Sequence, residues 1–122
     1  MTTVLVVDDE PLIAMALEAA LEDEGYQVVT AVNGRQALER LGEGTVDIIL
    51  LDMMMPVMNG PAFLQEREKN PLFSRIPVIV LSSLPQATIR ERASGMNAIV
   101  SKPYTARDVI STIRAVLDGA AL

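Results

Sequence analysis

Five short apolar runs, each followed by a stretch of helical periodicity, constrain this chain more than any other feature. The runs are "TVLVVD" (3–8), "YQVVTA" (26–31), "VDIILL" (46–51), "IPVIVLS" (76–82) and "NAIVS" (97–101). The first is rich in branched residues and continuous rather than alternating, as in a strand covered on both faces. The second is weaker, and the third is the most central in character. The proline of the fourth is tolerable only at the strand's beginning.

Between them lie the helical patterns. In 11–25, Ile13, Ala16, Leu17, Ala20 and Leu21 recur at helical spacing, and Gly25 provides a stop. Asn33 with Gln36 three residues on resembles a capping box, opening a helix through about Leu41. Pro61 suits a first turn, and that helix carries Phe63 and Leu64 to about Lys69. A fourth helix covers about Thr88–Ser94 and ends near Gly95. The last, 105–117, has one face of Val109, Ile110, Ile113, Val116 and Leu117.

Strands and helices in alternation imply right-handed crossovers and an α/β fold, a doubly wound five-stranded parallel sheet with helices on both faces. Spacing alone does not choose between the two common strand orders. Both put ligands outside the carboxyl ends of the strands, where the sheet reverses.

Composition narrows the chemistry available there. The 122 residues suit one domain, and half are hydrophobic, enough for a core without staples. Cysteine and histidine are absent, which excludes disulfides, thiolate metal sites, imidazole bases and imidazole-held metals. A bound metal would have oxygen ligands and be a hard ion such as magnesium. The net charge of −6 argues against a nucleic-acid surface. No run is long enough to span a membrane, and "MTTVLVVDD" does not read as a signal peptide, so a cytoplasmic protein is expected.

The strand ends concentrate the polar residues. The first run ends at Asp8 and Asp9, with Glu10 following; the third ends at Asp52, the fourth at Ser82 and Ser83, the fifth at Lys102. Singly, each has a plain explanation. Acids favour the start of a helix, Asp52 could cap a strand, Ser82 could be a turn residue and Lys102 a solvated charge. Their coincidence on one sheet edge does not. Close carboxylates repel unless a cation intervenes, and magnesium would take them as ligands. Such an ion also steadies phosphoryl transfer, making Asp52 the natural acceptor, with Lys102 and Ser82 holding the phosphoryl oxygens.

The segments "VLVVDDEP", "DIILLDMMMPVMNG", "PVIVLSS" and "SKPY", in that order, resemble the receiver (response-regulator) domain of two-component signalling over essentially the whole chain. The resemblance implies a single receiver domain over residues 1–122 with the flavodoxin-like order 2-1-3-4-5. It implies a magnesium-dependent switch rather than an enzyme with an external substrate, with Asp52 phosphorylated from a histidine kinase or histidine phosphotransfer protein. Asp9 would be the main direct metal ligand, Asp8 would act largely through water, and the main-chain carbonyl of Met54 would complete the set with Asp52. The Lys102–Pro103 bond would be cis. Output would run to a downstream protein through the fourth helix, fifth strand and last helix, in a monomer or a phosphorylation-dependent dimer.

Around Asp52, Met55, Pro56 and Gly60 are expected to shape the loop, with Pro56 and Gly60 fixing backbone conformations; Met58 is expected to pack in the core, Met54 to contribute to a partner surface, and Met53 either to join it or to be a loop residue of little consequence. The chain departs from the family pattern at Ile99, where receivers commonly carry an aromatic ring that turns inward on activation; Tyr104 is either a substitute on the neighbouring face or simply a partly exposed residue that starts a helix. Met54 and Leu84 stand where other receivers often orient a hydrolytic water, and neither side chain can do so. Asn59 replaces a commoner aspartate, which is expected to be neutral. Two rivals stand against the switch. A phosphohydrolase would want a general acid near Asp52, and Met54 offers none; a non-phosphorylated binding module would have lost pocket residues that are all present here.

Overall fold

The computed structural model describes residues 1–119. In chain order the elements are β1 (Thr3–Val7), α1 (Pro11–Asp23), β2 (Gln27–Ala31), α2 (Gly34–Glu43), β3 (Ile48–Asp52), α3 (Gly60–Glu68), α4 (Pro71–Ser74), β4 (Val78–Ser82), α5 (Gln86–Arg92), β5 (Ala98–Ser101) and α6 (Ala106–Leu117). All strand pairs are parallel, in the order β2-β1-β3-β4-β5.

The continuous apolar runs serve two cores because successive side chains point to opposite faces of a strand. Leu5, Val7, Ile49, Leu51, Val78 and Val80 pack with Ala37, Leu41, Phe63, Leu64 and Ile89 from α2, α3 and α5. Val4, Val6, Ile48, Leu50, Ile79 and Leu81 pack with Leu17, Leu21, Val109 and Ile113 from α1 and α6. Every residue of β3 and β4 is buried, so these two strands are the centre of the sheet.

Local signals set the helix starts. The Asn33 side chain accepts from the N–H of Gln36 at 2.8 Å. The Gln36 side chain returns the bond to Val32 rather than to Asn33, so the expected box closes one residue early. Thr105 and Asp108 form a full capping box at α6. Gly25, just past α1, takes a φ of +91°, a conformation that glycine adopts freely.

Several expectations are corrected. Among the described residues there are six helices, not five, because Asn70 caps the single turn α4 through the N–H of Leu72. β3 begins at Ile48; ahead of it, Asp47 accepts from the Thr3 N–H at 2.8 Å. Helix α5 lies two residues earlier than read, and Leu117 is exposed rather than part of the buried face. Arg67 of α3, which periodicity would leave on the surface, is buried. Its Nη2 donates to the carbonyls of Ser74 and Ile76 at 3.0 and 2.7 Å, and its Nη1 pairs with Glu68 at 2.9 Å. Arg67 therefore clamps the chain that leads into β4.

Helix α2 meets the loop after β3 at Gly34, whose N–H donates to the Met58 carbonyl at 2.9 Å. A Cβ there would stand 2.7 Å from that carbonyl oxygen and 3.0 Å from Cβ of Phe63. Gly34→Ala is expected to destabilise the fold by about 1–3 kcal/mol, the usual cost of overpacking, measured by urea unfolding.

Candidate functional site

The strand order makes β1, β3, β4 and β5 consecutive, and each delivers a polar residue to the same rim. In the registers, Val7 aligns with Leu51, Asp52 with Leu81, and Ser82 with Ser101, so Asp8, Asp52, Ser82 and Lys102 leave the sheet at nearly one level. The structure brings Asp8, Asp9, Asp52, Ser82 and Lys102 to this rim, whereas Ser83 is exposed.

Carboxylate oxygens of Asp8, Asp9 and Asp52 lie within 4.8 Å of one another. Asp8 and Asp52 are buried while Asp9 is not. Lys102 brings its Nζ to 3.9 Å from Asp52 Oδ1, a distance of attraction rather than a tight ion pair. Its backbone N–H donates to the Ser82 carbonyl at 2.9 Å, and the Lys102–Pro103 peptide is cis. Ser82 is buried, and its Oγ accepts from the Leu84 N–H at 3.1 Å. That leaves the hydroxyl proton available to a ligand.

Burial pushes the carboxyls of both Asp8 and Asp52 above the ordinary carboxylate range. Lys102 and one backbone N–H each oppose this without reversing it, while the neighbouring acids add to it. Those N–H groups are Glu10, donating to Asp8 Oδ1 at 2.9 Å, and Met54, reaching Asp52 Oδ1 at 3.4 Å. Asp8 Oδ2 is buried with no hydrogen-bond partner. A buried, unpartnered oxygen beside two further carboxylates, with no nitrogen or sulfur donor among them, suits a hard divalent cation.

The loop after Asp52 differs in detail from its sequence reading. Met54 is 64% exposed, but Met53 is buried and so belongs to the core, not to a partner surface. Met58 packs partly buried against the first core, as expected. Gly60 has no unusual φ; it is required by contact, since a Cβ would meet Met53 Cα at 2.9 Å and the Asp52 carbonyl at 3.0 Å. Asn59 caps α3 through the N–H of Ala62 at 3.0 Å. Val57 holds a φ of +68°, a strained conformation for a β-branched residue that its sequence does not signal. Ile99 packs against the first core, whereas Tyr104 packs against the second. The Tyr104 phenol is pushed up by burial and then by the charges of Asp8, Asp52 and Glu10.

A parallel sheet in this order, with an acidic pocket completed by a hydroxyl and a lysine at its carboxyl rim, defines a flavodoxin-like signalling domain. The chain belongs to the response regulator receiver domain family, whose profile matches residues 4–114. It is thus a receiver domain of two-component systems, a family of phosphorylation-dependent switches. PilH of Pseudomonas aeruginosa is 33% identical over 121 residues, which cover 98% of this chain and 100% of that protein. The probable transcriptional regulatory protein TcrX of Mycobacterium tuberculosis is 35% identical over 120 residues, covering 94% of this chain and 49% of TcrX. The chain spans about half the length of TcrX and of similar regulators. Chemotaxis response regulator CheY4 of Vibrio cholerae superposes with a TM-score of 0.89 at 29% identity, covering 95% of this chain and 98% of that one. The receiver domain of sensor histidine kinase PA1611 from P. aeruginosa, whose active-site cleft coordinates a magnesium ion, gives 0.88 at 27% identity, covering 96% and 98%.

The raised carboxyl of Asp8 has a measurable consequence. The folded state holds that proton more tightly than the unfolded chain does. Ionisation therefore removes stability as pH rises from the ordinary value of 3.8 through the folded value. In metal-free buffer at pH 7, Asp8→Asn is expected to be more stable than the parent by about 1 kcal/mol, the scale of an under-satisfied buried group. The difference should vanish as the pH falls below the ordinary carboxylate range, followed by thermal unfolding across pH.

Proposed function

We propose that Asp52 accepts a phosphoryl group from a phosphohistidine on a sensor kinase or phosphotransfer protein, in a magnesium-dependent step that this domain assists. The observation that carries this reading is the imbalance of the pocket. Three carboxylates converge, Asp8 Oδ2 has no partner, and one ammonium stands 3.9 Å from Asp52. Asp8, Asp9, Asp52 and the main-chain carbonyl of Met54 would hold magnesium. When bound, the ion supplies the positive charge that lets a phosphoryl group approach three acids.

The chain's own residues do the rest. An Asp52 oxygen attacks phosphorus as the donor imidazole leaves, forming an aspartyl phosphate. Lys102 balances charge on one phosphoryl oxygen, and the free Ser82 O–H donates to another. The domain turns over no substrate beyond its own Asp52. Phosphorylation adds about −1.5 to −2 charge. Moving a population from 1:99 to 99:1 takes roughly 5.5 kcal/mol of preference for one conformation.

Ser82 and Lys102 join β4 and β5 to that charge, so the face of α5, β5 and α6 is the reading surface for a downstream protein. With Ile99 at the usual ring position, Tyr104 is the aromatic residue beside the pocket. We place this single domain in the cytoplasm, as a monomer or a phosphorylation-dependent dimer. Among the described residues no helix is long and apolar enough to cross a membrane.

Incubation with acetyl phosphate should label the protein on Asp52, as seen by peptide mass spectrometry. Label should be absent from Asp52→Asn and lost on chelation of magnesium; metal-independent label, or label elsewhere, would overturn the reading. Magnesium at about ten times its dissociation constant should also stabilise the parent by about 1.4 kcal/mol, and Asp8→Asn by less.

Met54 and Leu84 lack groups to orient a water, so the aspartyl phosphate should decay more slowly than in receivers with acids or amides at those positions. A chase of the trapped phosphoprotein measures this.

A further inference from the structure

Between the loop that follows Asp52 and α5 lies an open cavity of about 370 Å³ bordered by Met53, Met54, Met55, Pro56, Leu84 and Arg92. Met53 and Met55 are buried, whereas Met54 is 64% exposed. The Met54 N–H lies 3.4 Å from Asp52 Oδ1, so the main chain that carries this exposed thioether is tethered at the candidate phosphoacceptor. On the other flank, the Leu84 N–H donates to Ser82 Oγ at 3.1 Å, which tethers Leu84 in the same way. Two side chains with almost no hydrogen-bonding capacity thus border one cavity, on main chain held to Asp52 and to Ser82.

An exposed thioether in an open cavity is chemically alterable in a way that leucine is not. We propose that Met54 is a reversible oxidation site, at which hydrogen peroxide forms a sulfoxide that shortens the life of the aspartyl phosphate. A lone pair on Sδ attacks one peroxide oxygen, and the S–O bond forms as the O–O bond breaks. The departing hydroxide takes the proton from the transferred oxygen and leaves as water. Sulfur is oxidised by two electrons and the peroxide is reduced by the same two. Methionine sulfoxide reductases reverse the change.

The sulfoxide oxygen is a strong acceptor where the thioether offered almost none. It can hold a water beside the phosphoryl group, which Met54 and Leu84 otherwise leave unsupported. A neutral acceptor orients water without acting as a full base. The effect is therefore set at about tenfold, below the hundredfold or more of general-base catalysis. Met1 and Met15, at 87% and 61% exposure, will oxidise too. Neither borders the cavity, so they serve as internal controls.

This inference rests on Asp52 being the phosphoacceptor, and the experiment separates the two claims. The full chain, Met54→Leu and Met54→Gln are labelled with acetyl phosphate and magnesium, with and without prior peroxide treatment. Phosphoryl half-life is measured, and oxidised sites are mapped by mass spectrometry. Peroxide should shorten the parent's half-life about tenfold, and sulfoxide reductase should restore it. Met54→Leu should be insensitive although Met1 and Met15 oxidise, and Met54→Gln should decay fast without peroxide. The proposal is overturned if Met54 resists peroxide, if full oxidation leaves the half-life unchanged, or if Met54→Leu loses lifetime equally. Absence of label from every protein overturns the phosphoacceptor reading itself, and this inference with it.

Discussion

The structure depends on an electrostatic mismatch held at the rim of the sheet. Two buried carboxylates, Asp8 and Asp52, face one ammonium that stands at 3.9 Å, too far for a tight ion pair. Packing keeps them there. β1 and β3 are hydrogen-bonded neighbours, and the residues before each aspartate are fully enclosed by the two cores. Neither acid can retreat into solvent without dismantling strands that form the centre of the molecule. The negative charge of the pocket is therefore built in by the packing of the sheet.

The same arrangement explains why the pocket was legible in the sequence. A parallel sheet covered on both sides needs unbroken apolar runs, so the first polar residue after each run marks the rim. Asp8, Asp52, Ser82 and Lys102 could be picked out for that reason alone. Amphipathic spacing and the cap at Asn33 located most of the helices to within a few residues.

What escaped the sequence depends on tertiary contact. Arg67 is buried because two carbonyls and Glu68 receive its guanidinium, and a charged residue at helical spacing gives no sign of such partners. Met53 and Met54 are chemically identical, yet backbone direction buries one and exposes the other. The left-handed Val57 lies between Pro56 and Met58 with none of the glycine or asparagine that usually marks such a conformation. The turn α4 is too short for periodicity to reveal. The need for Gly60 was foreseen but for another reason, since contact with the Asp52 backbone, not φ, excludes a side chain.

The Arg67 clamp bears on how a disturbance at the rim travels. It grips the carbonyls of Ser74 and Ile76, just ahead of β4, while Ser82 sits at the opposite end of that strand. β4 is thus moored at its tail and cannot slide lengthwise as a rod. Any displacement drawn from Ser82 must be absorbed ahead of it, in the short span from Ser83 to Pro85 that leads into α5.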